Sequence, residues 1–306
     1  MRHLLNVADL TTDEILRIFA LTADLKAKFR AGVREPLLPG RVMALLFEKQ
    51  SLRTRVSFQA GMAHLGGSSM MLGEDAGFGG KRESISDFTR VLSEMVDVIV
   101  VRAKAHATVK AIADHSACCV INGLTDRSHP CQALADLFTL REQVGQLAGA
   151  KLAWVGDANN VARSVAIACA LLGVEFAAAT PKGYEFDEPF FTRLNEVAPN
   201  AKLQFTDDPV LAVRGAAAVY TDVWASMGQE SEQEQRRRDF AHYQVNAQLM
   251  QAAGPAARFM HCLPAKRGEE VTDEVMDSLA SVIVEQAANR MHVQKGVLAW
   301  LLGTQN

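Results

Sequence analysis

Ser51-Leu52-Arg53-Thr54-Arg55 sets two hydroxyls and two guanidiniums side by side. Hydroxyls donate single hydrogen bonds, and arginine forks grip phosphate oxygens two at a time. A strand-like apolar run, Val42 to Phe47, leads into this stretch, and a helix-like run, Val56 to Leu65, leads out. A strand that turns straight into a helix leaves free N–H groups beside the positive end of the helix dipole, which makes an anion site. The same residues also suit a capped amphipathic helix with solvated arginines. The choice depends on whether other polar clusters ask for the same ligand.

Several do. Arg102 ends the buried-strand pattern Val98 to Val101, where it either points into a crevice with Arg53 or simply meets solvent. His129-Pro130-Cys131-Gln132 opens a helix, with Pro in its usual first-turn place. His129 and Gln132 lie three apart and share a face, so they could hold a planar amide; a histidine there also serves as a cap. Gly156-Asp157-Ala158-Asn159-Asn160 has the position of a dinucleotide loop but lacks G-x-G-x-x-G, which counts against nicotinamide binding and an oxidoreductase. Its two amides suit a zwitterion. Asp222 ends a strand before Val223-Trp224-Ala225-Ser226-Met227-Gly228, and could equally be a helix cap before a surface loop. His261-Cys262-Leu263-Pro264 ends another strand; Pro264 stops the ladder and frees the Leu263 carbonyl, while Cys262 could be only a small buried hydrophobe. Histidine and cysteine spacing shows no zinc signature, so no metal and no cofactor is expected. Glu230 to Arg238 reads as a solvated face, or more sharply as a lid.

Composition limits the partners. Net charge is -3 over 306 residues, so the surface as a whole is no nucleic-acid footprint and any anion site must be a local basic pocket. Five cysteines with irregular spacing, Cys118, Cys119, Cys131, Cys169 and Cys262, argue for free thiols in a reducing compartment. The N-terminal stretch soon meets Asp9, Asp13 and Glu14, and no apolar run is long enough to span a membrane. A cytoplasmic protein is the expectation.

The elements needed to position these clusters alternate. Thr11 and Glu14 form a capping-box pattern for a helix ending near Arg30. Strands are expected at Val42–Phe47, 69–72, 98–101 and 118–121, the last broken by Asn122-Gly123, with helices at 56–65, 85–95, 106–115 and from His129 to about Gly145. The pattern restarts with strands at 152–155, 175–180, 202–205, 217–221, 258–262 and 282–284, helices at 161–172 and 189–197, short helices at Asp208 and Thr272, and a closing helix 286–302. Alternation of this kind means parallel sheets with helices on both faces. The fold class is α/β, with two domains, each a parallel sheet flanked by helices. In such sheets ligands sit beyond the carboxyl ends of strands, where most of these clusters fall.

Taken together the motifs resemble the transcarbamylase family, its ornithine-using branch most closely. S-x-R-T-R at Ser51, H-P-C-Q at His129, G-D-x-N-N at Gly156, D-x-x-x-S-M-G at Asp222, H-C-L-P at His261 and N-R-x-H-x-Q-K at Asn289 occur in order, within a resemblance that runs from Leu4 to Leu302. The resemblance implies the transcarbamylase fold joined by long helices: a carbamoyl-phosphate domain, 1–137, with the closing helix 286–306 packing back on it, and an ornithine domain, 150–285. It implies carbamoyl transfer from carbamoyl phosphate to L-ornithine by a homotrimer or a multiple of trimers, with no nucleic-acid or membrane partner. Ser51, Arg53, Thr54 and the Leu52 amide would hold phosphate. Arg102, His129 and Thr54 would polarise the carbamoyl oxygen. Gln132 and the Leu263 carbonyl would orient the carbamoyl nitrogen, with Arg290 beside them. Asn160, Asp222, Ser226 and Met227 would hold ornithine, with Cys262 near its side-chain amine. Arg102, His129, Asp222 and Cys262 are thus the expected catalytic residues. Putrescine or an N-acylated ornithine as acceptor, and a non-catalytic paralogue, remain as alternatives; the intact S-M-G segment and the presence of every catalytic position weigh against them.

The chain departs from the family pattern in places. Gln50, Leu52 and Ala158 stand where the family often has Pro, Thr and Gly. Between Asp75 and Ser84, where ornithine enzymes often place a glutamine that reaches a neighbouring subunit, this chain has Gly77 and Phe78, followed by Lys81 and Arg82. Lys81 is therefore expected to reach the phosphate in trans, as a lysine does in the aspartate-using relative. Lys81→Ala should raise the KM for carbamoyl phosphate; an unchanged KM ends that assignment.

Overall fold

The structure is a computed structural model that describes residues 2–73, 83–225 and 229–303. Lys81, Ser226 and Met227 lie outside the described residues. The chain divides into two compact units: Met1–Ala135 with Asn289–Asn306, and Asp136–Ala288.

The first unit starts with α1 (Thr12–Arg30). Its N-terminus is closed by the capping box, Thr11 accepting from the Glu14 N–H and Glu14 reaching back to the Thr11 N–H. Next come β1 (Val42–Phe47), α2 (Leu52–His64), β2 (Ser68–Leu72), α3 (Ile85–Ser93), β3 (Val98–Arg102), α4 (His106–His115), β4 (Cys119–Leu124) and the start of α5 (Pro130–Val144). The four strands form one parallel sheet in the order β2-β1-β3-β4. β3 is buried at every position, as a β-branched strand covered on both faces must be. The chain runs outward from β1 to β2, then returns to the other side of β1 for β3. The crevice beyond the β1 and β3 ends is thus a topological switch point, the place where such sheets receive ligands. Phe47 pairs with Arg102 in that register.

The second unit repeats the plan with β5 (Lys151–Val155), α6 (Asn160–Leu171), β6 (Glu175–Ala179), α7 (Glu188–Val197), β7 (Leu203–Thr206), α8 (Pro209–Val213), β8 (Ala218–Thr221), α9 (Gln233–Asp239), α10 (Ala247–Ala253), β9 (Arg258–His261) and α11 (Asp273–Met276). Its parallel order is β7-β6-β5-β8-β9, so the switch point lies between β5 and β8. Trp154, Tyr220, Phe176 and Phe259 are fully buried in this unit. α12 (Ile283–Leu302) closes the chain.

Four expectations need correction. α2 begins at Leu52, not Val56, because Ser51 is its N-cap; the S-x-R-T-R stretch is the first turn itself. Asn122-Gly123 does not break β4. The strand continues through a register shift opposite Val101 and Arg102, and Gly123 fits because a Cβ there would come 3.2 Å from the Val101 carbonyl oxygen. Residues 282–284 are not a strand. Ser281 makes a single bridge with Phe259, Val282 donates to the Phe259 carbonyl, and α12 starts at Ile283. Glu230 to Arg238 is not wholly a solvated face: it forms a 3-10 turn and α9, with Arg236 buried. α10 had no counterpart in the sequence reading.

Within the first unit α12 crosses α1 and α2 closely. Lys26 donates to Asn289 Oδ1 at 2.7 Å and Lys295 to the Leu25 carbonyl at 3.2 Å. Burial, with Arg34 adding, pushes the Lys295 amine down to about 8. Gly296 makes the crossing possible: a Cβ there would lie 2.3 Å from Thr22 Oγ1 and 2.9 Å from the Ile18 carbonyl oxygen. Gly296→Ala, which would stabilise an isolated helix, should instead destabilise this protein by about 1–3 kcal/mol, the usual cost of overpacking. Urea unfolding of the two proteins checks this; an unchanged midpoint refutes it.

Candidate functional site

In the first unit three elements bring their ends together. Ser51, at the β1 end, caps α2 by accepting from the Thr54 N–H, and its own hydroxyl donates to Thr54 Oγ1 at 3.0 Å. Thr54 is buried, and Oγ1 also accepts from Arg290 of α12 at 2.7 Å. A second nitrogen of Arg290 donates to Gln132 Oε1 on the first turn of α5. Arg102, the last residue of β3, is 6% exposed, and its Nε has no hydrogen-bond partner. His129 is buried just before α5. Its approach is shaped by Thr125, which accepts from the Ser128 N–H on its hydroxyl and donates its own N–H to the Ser128 carbonyl.

The charges in this cluster oppose one another. Burial pushes the Arg102 guanidinium down to about 10, and Arg290 and Arg53 push the same way. Burial, then Arg290 and Arg102, holds His129 well below its ordinary range, so at neutral pH it is an uncharged ring with one N–H to donate. Burial likewise lifts the Cys131 thiol to about 12, which makes it inert packing. A cationic pocket of this kind gains most from an anion, and the N–H groups of the α2 first turn point to the same end. Arg55 takes no part: its Nε donates to Gln59 Oε1 along the exposed side of α2. Only one guanidinium of the S-x-R-T-R stretch, Arg53, joins the cluster.

The second unit gathers a different set at its switch point. Asn159 caps α6, its Oδ1 accepting from the Val161 and Ala162 N–H groups, while its Nδ2 donates to Asp222 Oδ2 at 2.8 Å. Asp222 Oδ1 accepts from the Val223 N–H at 2.9 Å and from the Cys262 thiol at 3.0 Å. Cys262 follows β9, so the ends of β5, β8 and β9 meet at one carboxylate. Asn160, the named ornithine candidate, turns its Oδ1 onto the Val161 N–H at 3.0 Å. Asn159, in the sequence one of the two amides that suit a zwitterion, carries no assigned ornithine role there, although its position as the cap of α6 could have singled it out. Asp157 is raised by burial against the pull of Arg236, whose guanidinium also donates to the Trp224 carbonyl at 2.8 Å.

His261, Cys262 and Asp222 bring one potential metal-ligating atom each within 4.8 Å of one another, a grouping that sequence spacing did not show. Both ring nitrogens of His261 are already engaged. Nδ1 accepts from the Leu263 N–H at 2.8 Å, which leaves Nε2 to donate to Glu270 at 3.1 Å. The set does not fit a bound cation without breaking those bonds. Leu263, φ 58, is held in the left-handed region by this arrangement. Among the described residues no helix is long and apolar enough to cross a membrane.

Comparison with known proteins adds the following. Residues 2–142 match the family described as aspartate/ornithine carbamoyltransferase, carbamoyl-P binding domain, and residues 148–301 its Asp/Orn binding domain. An ornithine carbamoyltransferase of Carboxydothermus hydrogenoformans is 47% identical over 304 residues, covering 99% of this chain and 98% of the relative. One of Pyrococcus furiosus described as anabolic is 47% identical, with 99% and 96% covered. The solved structure of ornithine carbamoyltransferase from Pyrococcus furiosus superposes with a TM-score of 0.95 at 47% identity, covering 100% of this chain and 98% of that one.

The mutually repelling cations of the first unit give Arg102 effects of opposite sign on the empty and the occupied protein. Arg102→Met removes a buried, repelled cation, so the ligand-free protein should melt no lower than wild type. The same change should weaken inorganic phosphate binding roughly threefold to tenfold, the loss of a neighbouring positive charge rather than of a direct hydrogen bond. Thermal melts and calorimetric titration read the two separately. Lost stability together with unchanged phosphate affinity contradicts the account.

Proposed function

Because the chain belongs to the aspartate/ornithine carbamoyltransferase family, we propose that it transfers the carbamoyl group of carbamoyl phosphate to the δ-amine of L-ornithine, giving L-citrulline and phosphate. The observation that carries this reading is the pair of opposed electrostatic environments. Arg53 and Arg290 both act on the buried Arg102, and Arg290 donates to Thr54, in the unit that matches a carbamoyl-P binding domain. The other unit presents the Asp222 carboxylate with Cys262 against it. A carboxylate suits an amine side chain and repels the second carboxylate of aspartate, which favours ornithine within the family.

The reaction assigns roles to these groups. Ser51, Thr54 and Arg53, with the Leu52 N–H, take the phosphate oxygens. Arg102 and the neutral His129 donate to the carbamoyl oxygen, Arg290 holds Gln132 in place, and Gln132 orients the carbamoyl nitrogen. A free amine of this type has a pKa near ~10.4, so the δ-amine must shed its proton before it attacks. Asp222 and Cys262 orient the amine. Its nitrogen bonds to the carbamoyl carbon and negative charge develops on the carbonyl oxygen. The bond to the phosphate oxygen then breaks, and the departing phosphate accepts the proton that the newly bonded nitrogen must still lose, the earlier ammonium proton having gone to solvent. Each donor aimed at the developing charge can contribute roughly 10²–10³ in rate. No covalent intermediate with the protein is involved.

We assign this protein a trimeric assembly in the cytoplasm, acting in arginine synthesis. The anabolic relative supports the direction. Carbamoyl phosphate should be incubated with ornithine, putrescine, N-acetylornithine or aspartate, and the products identified. Citrulline should form far faster than any other product, from a species whose scattering mass is three chains or a multiple. Preferred carbamoylation of another amine replaces the substrate assignment, and no carbamoylated product overturns the activity.

A further inference from the structure

Asp136 stands one helical turn after Gln132 on α5 and has no exposed surface. Its two oxygens are divided between strand β8 and helix α12. Oδ2 accepts from the Tyr220 phenol at 2.9 Å, and Oδ1 accepts from Gln286 Nε2 at 2.7 Å. Gln286 then accepts the backbone N–H of His261 on its Oε1 at 2.9 Å. Tyr220 lies two residues before Asp222, and His261 immediately precedes Cys262. The phenol is close to both: burial raises it well above its ordinary range, and Asp136, Cys262 and Asp222 all add to the rise.

The last paired residues of β8 and β9 are Thr221 and His261. Beyond them the ladder has ended, and the ladder itself does not hold Asp222 opposite Cys262. We propose that Asp136 is a positioning residue for the acceptor amine: through Tyr220 and Gln286 it anchors the ends of β8 and β9 so that Asp222 and Cys262 meet the amine together. This rests on the ornithine reading given above.

A carboxylate is the group the position requires. It accepts at both oxygens, so a phenol and an amide can each donate without conflict. It also sets the direction of the Gln286 amide, whose Nε2 faces Asp136 and whose Oε1 is left for His261. Asparagine has nearly the same shape but puts a donor at one end. If that donor faces Gln286, the glutamine must turn, and two donors then meet at the His261 N–H. If it faces Tyr220, the phenol hydrogen loses its acceptor. Either way one link of the chain breaks.

The test is steady-state kinetics on the full-length enzyme carrying Asp136→Asn, Tyr220→Phe, or both. Asp136→Asn should lower kcat/KM for ornithine roughly tenfold, the effect of one unmade buried hydrogen bond, while the KM for carbamoyl phosphate stays at the wild-type value. The double variant should be little worse than Asp136→Asn alone, because both changes break the same chain of hydrogen bonds. An Asp136→Asn enzyme that melts lower yet keeps kcat/KM for ornithine within twofold overturns the proposal. So does a parallel change for both substrates, or a double variant whose losses are the product of the two single ones. If Asp136→Asn does not fold, Tyr220→Phe carries the test, and an unchanged KM for ornithine overturns it. A wild-type enzyme that makes no citrulline removes the functional reading and this inference together; an active wild type with indifferent variants removes only the inference.

Discussion

Arg53, Arg102 and Arg290 are held near one another against their mutual repulsion. Burial already disfavours the charge on Arg102, and the other two arginines disfavour it further. The first unit maintains this by fixing the arginines to rigid elements: Arg53 to the first turn of a capped helix, Arg102 to the end of a fully buried strand, and Arg290, on α12, by hydrogen bonds to Thr54 of α2 and Gln132 of α5. Pre-organised charge of this kind costs stability when the site is empty and is offset when an anion binds. His129, beside the same cations, is kept neutral by them and by burial. It can polarise an oxygen without adding another positive charge.

The second unit solves the complementary problem. It must present a negative group to an amine without letting that group wander. Asp222 is fixed by donors from three directions, the Asn159 amide, the Val223 backbone and the Cys262 thiol. Each donor comes from the end of a different strand. Both sites lie at the switch points of their sheets, because only there do the ends of neighbouring parallel strands diverge and leave room between them.

α5 and α12 each carry two kinds of residue a turn apart. Gln132 and Arg290 belong to the anion cluster, while Asp136 and Gln286 support the ends of β8 and β9. Helical spacing of four keeps these pairs on one face. That is why a run of apolar residues in each helix is interrupted by buried polar ones.

Local interactions made much of this molecule legible without coordinates. The Thr11–Glu14 capping box, the β-branched run of β3 and the alternation of strand and helix depend on neighbours a few residues away, and they specified the α/β class. The motif sequence pointed to the family, and the net charge gave no reason to expect a nucleic-acid surface. Other features could not be read. Arg290 meets Thr54 across 236 positions, Gln286 meets Asp136 across 150, and no spacing rule links such residues. Arg53 and Arg55 look equivalent in the chain, and only the turn of α2 sends one into the cluster and the other to Gln59. Asn122-Gly123 carries a turn signal, yet pairing with β3 overrode it. Propensity and pattern act over a few residues, whereas the identity of each buried partner is set by which distant elements the sheets and crossing helices bring into register.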